Sequence, residues 1–319
     1  MTYADYNDEN KEGYPVLKMH GVTQNKENSF RLGPLDLEIP AGYVTAIMGP
    51  NGSGKSSLFR LALGQSKPNS GEISLLGKAV GGTDDADVKR RIGYVADEDT
   101  YPERSIRGTE KAGFVSQWYP KWDRAWFEHL LERFKVDATL RLDKMSKGSR
   151  RKYELALALA HRPELLLLDE PSSGLDPISC KKMVEELHKY MEQGDRTIII
   201  ATHMLEEVRR LADYIVCLAD GRLIGMYEKD ELLGSWHTFY AGYESGGSSA
   251  AIAEEAAKLP GLYSIEEAGG GTCRIVTSRA REAQAWCRER GWSVTGERPL
   301  ELDDIMEALI EMSRQKGGS

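Results

Sequence analysis

Gly49-Pro50-Asn51-Gly52-Ser53-Gly54-Lys55-Ser56, followed by Ser57, has the spacing G-x-x-x-x-G-K-[ST]. The stretch before it, residues 43–48, is short and apolar, which is typical of a buried parallel strand. The stretch after it, residues 57–63, has helical spacing and ends at Gly64. A glycine loop between a strand and a helix N-terminus directs backbone N–H groups at a phosphate. The sequence therefore predicts a P-loop nucleotide site, and the alternative, a glycine-rich turn with a chance Lys-Ser pair, is disfavoured by these flanks.

Within this loop the two polar side chains have distinct predicted roles. Lys55 is placed to reach the β- and γ-phosphates of a nucleotide, and the Ser56 hydroxyl is placed to ligate Mg²⁺.

Bulk properties restrict the remaining possibilities. The chain has 319 residues, a net charge of −8, a pI near 5.5 and a mean hydropathy of −0.47. A general nucleic-acid binder is disfavoured because such proteins present a basic face. No apolar run approaches the roughly 18 residues of a membrane span, and no secretory signal is recognisable. The four cysteines form no C-x-x-C pair, so reduced thiols in the cytosol are expected.

Composition divides the chain into three parts. Residues 1–14 are polar and acidic and are predicted to form a disordered tail. Residues 15–234 alternate strands with helices, which predicts an α/β domain with a mainly parallel sheet, N-terminal antiparallel strands and a helical subdomain. Residues 235–319 follow a linker-like composition and show the order β-α-β-β-α-β, which predicts a small ferredoxin-like α+β domain.

The predicted helical subdomain contains a cluster of aromatic residues. Asp123 is a good N-cap, and Trp122 and Phe127 flank it in the hydrophobic-staple arrangement. The aromatics of residues 114–122 are therefore expected to pack in the core, with a partner surface as the alternative.

A second acidic motif specifies the chemistry of the loop. Four leucines, residues 165–168, precede Asp169 and Glu170, so both acids follow a strand expected beside the P-loop strand. Asp169 is then placed to reach the metal, and Glu170 to orient or deprotonate the attacking water. The alternative is that the two acids merely cap the next helix.

On these motifs residues 16–234 resemble the ATP-binding subunits of ABC transporters. Met145-Ser146-Lys147-Gly148-Ser149 is similar to the family's L-S-G-G-Q signature, keeping Ser146 and Gly148 and departing at Lys147 and Ser149. The resemblance implies that this stretch closes over the γ-phosphate bound to a second subunit, so that two cassettes enclose two ATP molecules. Asp176 stands at the position of the family's D-loop, and His203 at that of its switch histidine.

Two positions depart from the family pattern. Asp97 stands where the family usually has a glutamine near the metal, and it is a candidate for accepting from a water or ligating Mg²⁺. Near the expected place for an aromatic residue that stacks on adenine, the nearest candidate is Phe30. The alternative is that Phe30 is a core residue of its strand.

The resemblance implies an export-type ATPase subunit, peripheral to the cytoplasmic face of a membrane and bound to a separate permease. Its second cassette could be another copy or a related subunit. A soluble ABC-type ATPase without a transport role is the alternative, although the absence of sustained heptads disfavours a repair-type protein. A third interpretation makes residues 235–319 a ligand-binding or dimerising regulatory module.

Overall fold

The computed structural model describes residues 15–25, 31–97, 105–243, 254–269 and 271–317. It divides into two compact units, Met1–Met226 and Tyr227–Ser319. The predicted tail over residues 1–14 and the candidate Phe30 lie outside the described residues.

The first unit contains an antiparallel sheet built from the strands that flank the P-loop in sequence. Its strands run in the order β2-β1-β4-β5, with β1 and β2 each alternating buried and exposed side chains over much of their length. These strands are β1 (Leu17–Asn25), β2 (Arg31–Ile39), β4 (Ser70–Leu75) and β5 (Lys78–Ala79).

The second sheet of this unit has six strands and contains the motifs. Its members are β3 (Val44–Met48), β6 (Ile92–Val95), β7 (Leu165–Asp169), β8 (Thr197–Thr202), β9 (Tyr214–Ala219) and β10 (Arg222–Glu228). The order is β10-β9-β3-β8-β7-β6, and the neighbours from β9 to β6 pair in parallel. Strands β3, β7 and β8 are buried along their whole length, as expected for a parallel sheet covered on both faces. The predicted α/β cassette fold with a mainly parallel sheet is confirmed.

The strand order corrects one expectation. The strand that ends in Asp169 does not lie beside the P-loop strand, because β8 pairs with β3 on one side and with β7 on the other. The carboxyl end of β8 therefore reaches the middle of the site, and this end carries Thr202 and His203.

Helices complete the first unit. They are α1 (Lys55–Ala62), α2 (Asp85–Lys89), α3 (Gly108–Ser116), α4 (Arg124–Phe134), α5 (Lys147–Leu159), α6 (Pro177–Met191) and α7 (Leu205–Leu211), with a 3₁₀ turn over Leu142–Lys144. The apolar face of α1, including Leu58 and Phe59, is fully buried in the core that also contains Ile47 and Leu167. This packing holds the first turn of α1 against the end of β3.

The helical subdomain confirms the predicted cap and corrects the aromatic cluster. Asp123 accepts from the Trp126 amide at 2.9 Å, and the rings of Trp122 and Phe127 lie 5.3 Å apart. Phe114 and Trp118, however, are 57% and 60% exposed. The prediction that this cluster is mainly core is wrong for these two residues, because Phe114 lies on an outer face of α3 and Trp118 in the turn after this helix, whereas the staple rings pack against each other.

The second unit has its own sheet and core. It consists of α8 (Lys229–Ser235), β11 (His237–Tyr243), β12 (Leu262–Gly269), β13 (Thr272–Thr277), α9 (Ala280–Glu289), β14 (Trp292–Pro299) and α10 (Leu302–Gly317). The four strands pair antiparallel in the order β12-β13-β11-β14 over a core that includes Phe239 and Ile275. Part of the predicted helix over 249–259 is outside the described residues, so the ferredoxin-like topology and the boundary at 234/235 stay predictions.

Candidate nucleotide-binding site

The glycine loop connects β3 to α1 through two positions that a larger residue could not occupy without strain. A Cβ at Gly49 would lie 1.9 Å from the Leu218 carbonyl oxygen. Gly54, which precedes α1, has a φ of 111°, a conformation that L side chains rarely adopt. The loop therefore approaches the backbone of β9 closely and turns directly into the helix, whose first N–H groups have no acceptor within the helix.

Lys55, the first residue of α1, extends back across this loop. Its Nζ donates to the carbonyl oxygens of Gly49 and Pro50, at 2.7 and 3.3 Å. The side chain is buried and lies 3.8 Å from Glu170 Oε1. Burial lowers the pKa of Lys55, although the nearby Glu170 and Asp169 carboxylates favour its charged form. The ammonium group is thus held where the loop, α1 and the end of β7 meet.

Asp169 ends β7 with its carboxyl group enclosed by protein. The residue is 2% exposed, and burial raises its pKa to about 6, while a hydrogen bond with Ser56 acts in the opposite direction. Among the described residues, Asp169 Oδ1 has no hydrogen-bond partner. The structure therefore brings together the two oxygen-bearing side chains that the sequence predicted as metal ligands.

Glu170 follows in a conformation that its neighbours impose. Its φ of 49° lies in the left-handed region, which is uncommon for a residue other than glycine and costs about 1–3 kcal/mol. The Glu170 amide donates to the Ala201 carbonyl at 2.8 Å, which ties this strained residue to β8. Backbone strain of this kind is concentrated at functional sites.

His203 lies just beyond the carboxyl end of β8 and contacts the same glutamate. Its Nδ1 is 2.8 Å from Glu170 Oε2, and its side chain is 57% exposed. One Glu170 oxygen therefore faces Lys55 and the other faces the histidine, which fixes the orientation of the carboxylate. The predicted base and the predicted switch histidine are neighbours within one chain.

Asp97 joins this group from the loop after β6. Its charge acts on both Lys55 and Asp169, so it lies near these two residues. The side chain also pairs with Arg151 of α5, at 3.3 Å from its guanidinium. Sequence reasoning missed Arg151 as a site residue. The feature of the sequence that could have identified it is the spacing of four residues from Arg151 to Leu155 and Leu159, which places all three on the buried side of α5.

The signature residues form a second cluster. Ser146 caps α5 by accepting from the Ser149 amide at 3.1 Å. Lys147 Nζ donates to Ser173 Oγ at 2.9 Å. A Cβ at Gly148 would lie 2.6 Å from the Gly174 carbonyl oxygen, so the backbone of the first turn of α5 lies close to that of Gly174.

Asp176 caps the helix that follows this contact. Its Oδ1 accepts from the amides of Ile178 and Ser179 at 3.0 Å each. The hydrogen bonds from Ser179 hold the pKa of Asp176 below its usual range. The D-loop position is thus rigidly attached to the start of α6.

Among the described residues, no group of three or more histidine, cysteine or acidic side chains is arranged to hold a metal by itself. None of the described helices combines the length and the hydropathy that crossing a bilayer requires.

The structure unites Lys55, Ser56, Asp97, Asp169, Glu170 and His203, whereas Ser146, Lys147, Gly148 and Ser149 contact the D-loop or their own helix.

Comparison with known proteins gives one family. The family model for ABC transporters matches residues 32–173. A Nod factor export ATP-binding protein I of Rhizobium etli is 31% identical over 296 residues, which is 90% of this chain and 89% of the relative. An uncharacterized ABC transporter ATP-binding protein of Nostoc sp. is 32% identical over 217 residues, and the match spans 66% of this chain but only 63% of that relative.

A solved structure is similar as well. The structure of cbiO1 from Clostridium perfringens, a part of the ABC transporter complex cbiONQ, covers 77% of this chain and 96% of its own with a TM-score of 0.58 and 25% identity. The match extends over most of the solved chain.

Proposed function

This chain belongs to the ABC transporter ATP-binding protein family, whose members are ATPases, and we propose that it hydrolyses ATP to power a separate transmembrane permease. The observation that carries the proposal is the grouping of Lys55, at the start of α1, with Asp169, Glu170 and His203, at the carboxyl ends of β7 and β8. One cation, two acids and a histidine are there within reach of the loop that would hold the phosphates.

ATP would bind with its phosphates over residues 49–57. The ammonium of Lys55 would exchange its two loop carbonyls for phosphate oxygens, which are stronger acceptors because they are charged. The N-terminus of α1 favours the same negative charge. The adenine contact proposed for Phe30 falls outside the described residues.

The Ser56 hydroxyl and the Asp169 carboxylate fit Mg²⁺. Hard oxygen donors are what this ion prefers, and Mg²⁺ in nucleotide sites takes only one or two protein ligands besides phosphate and water. The buried Asp169 Oδ1, with no hydrogen-bond partner among the described residues, is the kind of atom that a cation satisfies. When bound, the ion supplies positive charge for the phosphates. Asp97 is the weaker candidate because its carboxylate already pairs with Arg151.

Glu170 would accept a proton from the attacking water or orient it. Its carboxylate is set by Lys55 on one side and His203 on the other, so it needs little reorganisation before reaction. A neutral imidazole has one N–H and an imidazolium has two, so His203 would donate to Glu170 and to the γ-phosphate at the same time only as an imidazolium.

A second cassette would complete the site. Ser146 and Lys147 are exposed and stand at the N-terminus of α5, where backbone N–H groups are suited to an anion. The family resemblance implies that this anion is the γ-phosphate held by another copy or by a related subunit.

Export through a membrane partner has two supports. The Rhizobium etli relative, which matches along 90% of this chain, is an export ATP-binding protein. The exposed rings of Phe114, on α3, and Trp118, in the turn after it, lie 6.2 Å apart and give the first unit an apolar surface suited to a protein partner. The chain would then be attached to the cytoplasmic face of the membrane through the permease.

Two measurements test this function. Purified protein should release phosphate from ATP in the presence of Mg²⁺ and should do so much less in EDTA. Affinity-tagged protein purified from solubilised membranes should bring with it a multispanning protein, and the double variant Phe114→Ser/Trp118→Ser should reduce this recovery. If the purified protein released phosphate but no membrane protein were recovered with it, the soluble ABC-type ATPase would be favoured.

A further inference from the structure

Arg151 makes an unusual set of contacts for a residue of the helix that follows the signature. It is 4% exposed, and its guanidinium donates to the carbonyl oxygens of Ala96 and Asp97 as well as to Asp97 Oδ1. The Asp97 carbonyl and carboxylate lie at 3.0 and 3.3 Å. An arginine is rarely buried unless it is paired. Here the hydrogen bonds go to Ala96 and Asp97, and a longer ion pair of 4.0 Å reaches Glu154 on the same helix.

The two ends of this contact belong to different parts of the proposed ATPase. Asp97 follows β6 and acts electrostatically on Lys55 and Asp169. Arg151 stands just after the first turn of α5, the helix that Ser146 caps. The contact therefore joins the loop that faces the phosphates to the helix that carries the signature.

Charge explains why the loop needs this partner. Asp97, Asp169 and Glu170 are three acids in one region, and the first and third both oppose ionisation of the second. A buried guanidinium opposite Asp97 offsets this repulsion and leaves Lys55 to face the other two acids. Its planar fork also reaches two carbonyls at once, which a lysine could not do.

We propose that Arg151 is a positioning residue that holds the Asp97 loop against the signature helix, so that loop and helix move together when nucleotide binds. The proposal rests on the ATPase function above. In this proposal the main role of the Asp97 carboxylate is to pair with Arg151 of α5. Contact with the nucleotide is its lesser role.

The experiment uses the full chain and the variants Arg151→Gln, Arg151→Lys, Asp97→Ala and the double Arg151→Gln/Asp97→Ala. Arg150→Gln is the matched control, since Arg150 is the adjacent buried arginine and pairs with Glu154 at 3.2 Å. Each protein is measured for affinity toward a fluorescent ATP analogue, for kcat and KM of phosphate release, and for the midpoint of thermal unfolding.

Arg151→Gln should lower kcat about tenfold while leaving analogue affinity within about twofold, because positioning is lost and the phosphate loop is not. Arg151→Lys should keep part of the rate, since it keeps the charge but loses the fork. The double variant should lose no more rate than Arg151→Gln alone, and its unfolding midpoint should be higher than the sum of the single shifts predicts.

Three results would overturn the link: an Arg151→Gln rate equal to that of Arg150→Gln, a loss confined to nucleotide affinity, or additive effects of the two single variants. The unfolding midpoints test the contact between Arg151 and Asp97 even if the protein does not hydrolyse ATP. If the unchanged chain released no phosphate, the ATPase proposal would fail, while non-additive midpoints would still support the contact and additive midpoints would remove it.

Discussion

The two clusters of predicted site residues differ in how their polar groups are satisfied. At the end of the parallel sheet, Lys55, Asp169 and Glu170 are buried, and the Lys55 ammonium faces the Glu170 carboxylate from a separate chain segment. At the start of α5, Ser146 and Lys147 are exposed and bond to their own turn or to Ser173. The first arrangement can act on a nucleotide within one chain, whereas the second offers an exposed helix end that a ligand on another molecule can approach.

The difference leads to a general expectation. Changes in the buried cluster should have large effects on chemistry or binding, because they leave charges uncompensated in a region of low dielectric. Changes in the exposed cluster should have small effects on a single chain and should act on association. The following variants test this contrast.

The largest effect is expected from Glu170→Gln. Removing a general base lowers turnover by roughly 10²- to 10⁴-fold, while the amide keeps the size of the side chain. Phosphate release should fall accordingly with ATP affinity retained, and ATP-dependent dimers should accumulate on size-exclusion chromatography. Glu164→Gln, at the opposite end of β7 and paired with Arg91, is the control and should stay near the normal rate. Undiminished hydrolysis in Glu170→Gln would show that another group is the base.

Lys55→Ala should act on affinity. The variant loses charge-assisted hydrogen bonds to phosphate worth about 1.5–3 kcal/mol, so affinity for a fluorescent ATP analogue should fall on the order of 10- to 100-fold. Lys18→Ala, which changes an exposed lysine paired with Glu38, should bind normally. Unchanged affinity in the Lys55 variant would place the phosphates elsewhere.

His203→Ala should leave binding intact and slow the reaction roughly tenfold, because the variant loses the hydrogen bond that orients Glu170. Single-turnover kinetics with saturating ATP separate this step from binding. His188→Ala, on the exposed side of α6, is the matched control. A variant that lost affinity and rate equally would mean that His203 mainly binds the ground state.

The smallest effect is expected from Lys147→Ala. Its bond to Ser173 is exposed to solvent, so the free energy of unfolding should change by less than about 0.5 kcal/mol and turnover by less than about fivefold. Lys144→Ala, another exposed lysine of the same stretch, provides the comparison. A larger loss of stability or of turnover in Lys147→Ala would break the contrast. A loss of the ATP-dependent dimer alone would agree with it and make Lys147 a phosphate ligand for the second cassette.

Much of the site could be predicted because its signals are local. The spacing of residues 49–57 places Lys55 at the first helical position, and the leucines of residues 165–168 place Asp169 at a strand end. Asp123 and Ser146 cap their helices as their residue types favour. Each of these features depends on neighbours within a few residues.

Other features depend on which segments meet in space, and local patterns carried no information about them. The insertion of β8 between β3 and β7 brings His203 to Glu170, although the apolar runs of all three strands are alike in sequence. The outward position of Phe114 depends on how α3 is rotated against its neighbours, and that of Trp118 on the turn that follows this helix.

By itself, the sequence determined that a phosphate-binding loop, two acids and a capped signature helix exist, because glycine spacing, apolar runs and capping residues act over short distances. Only the tertiary structure decided how they combine. It set one oxygen of Glu170 toward Lys55 and the other toward His203, and it gave Asp97 a buried arginine as its partner. These contacts join segments far apart in the chain, and strand order and helix packing bring them together.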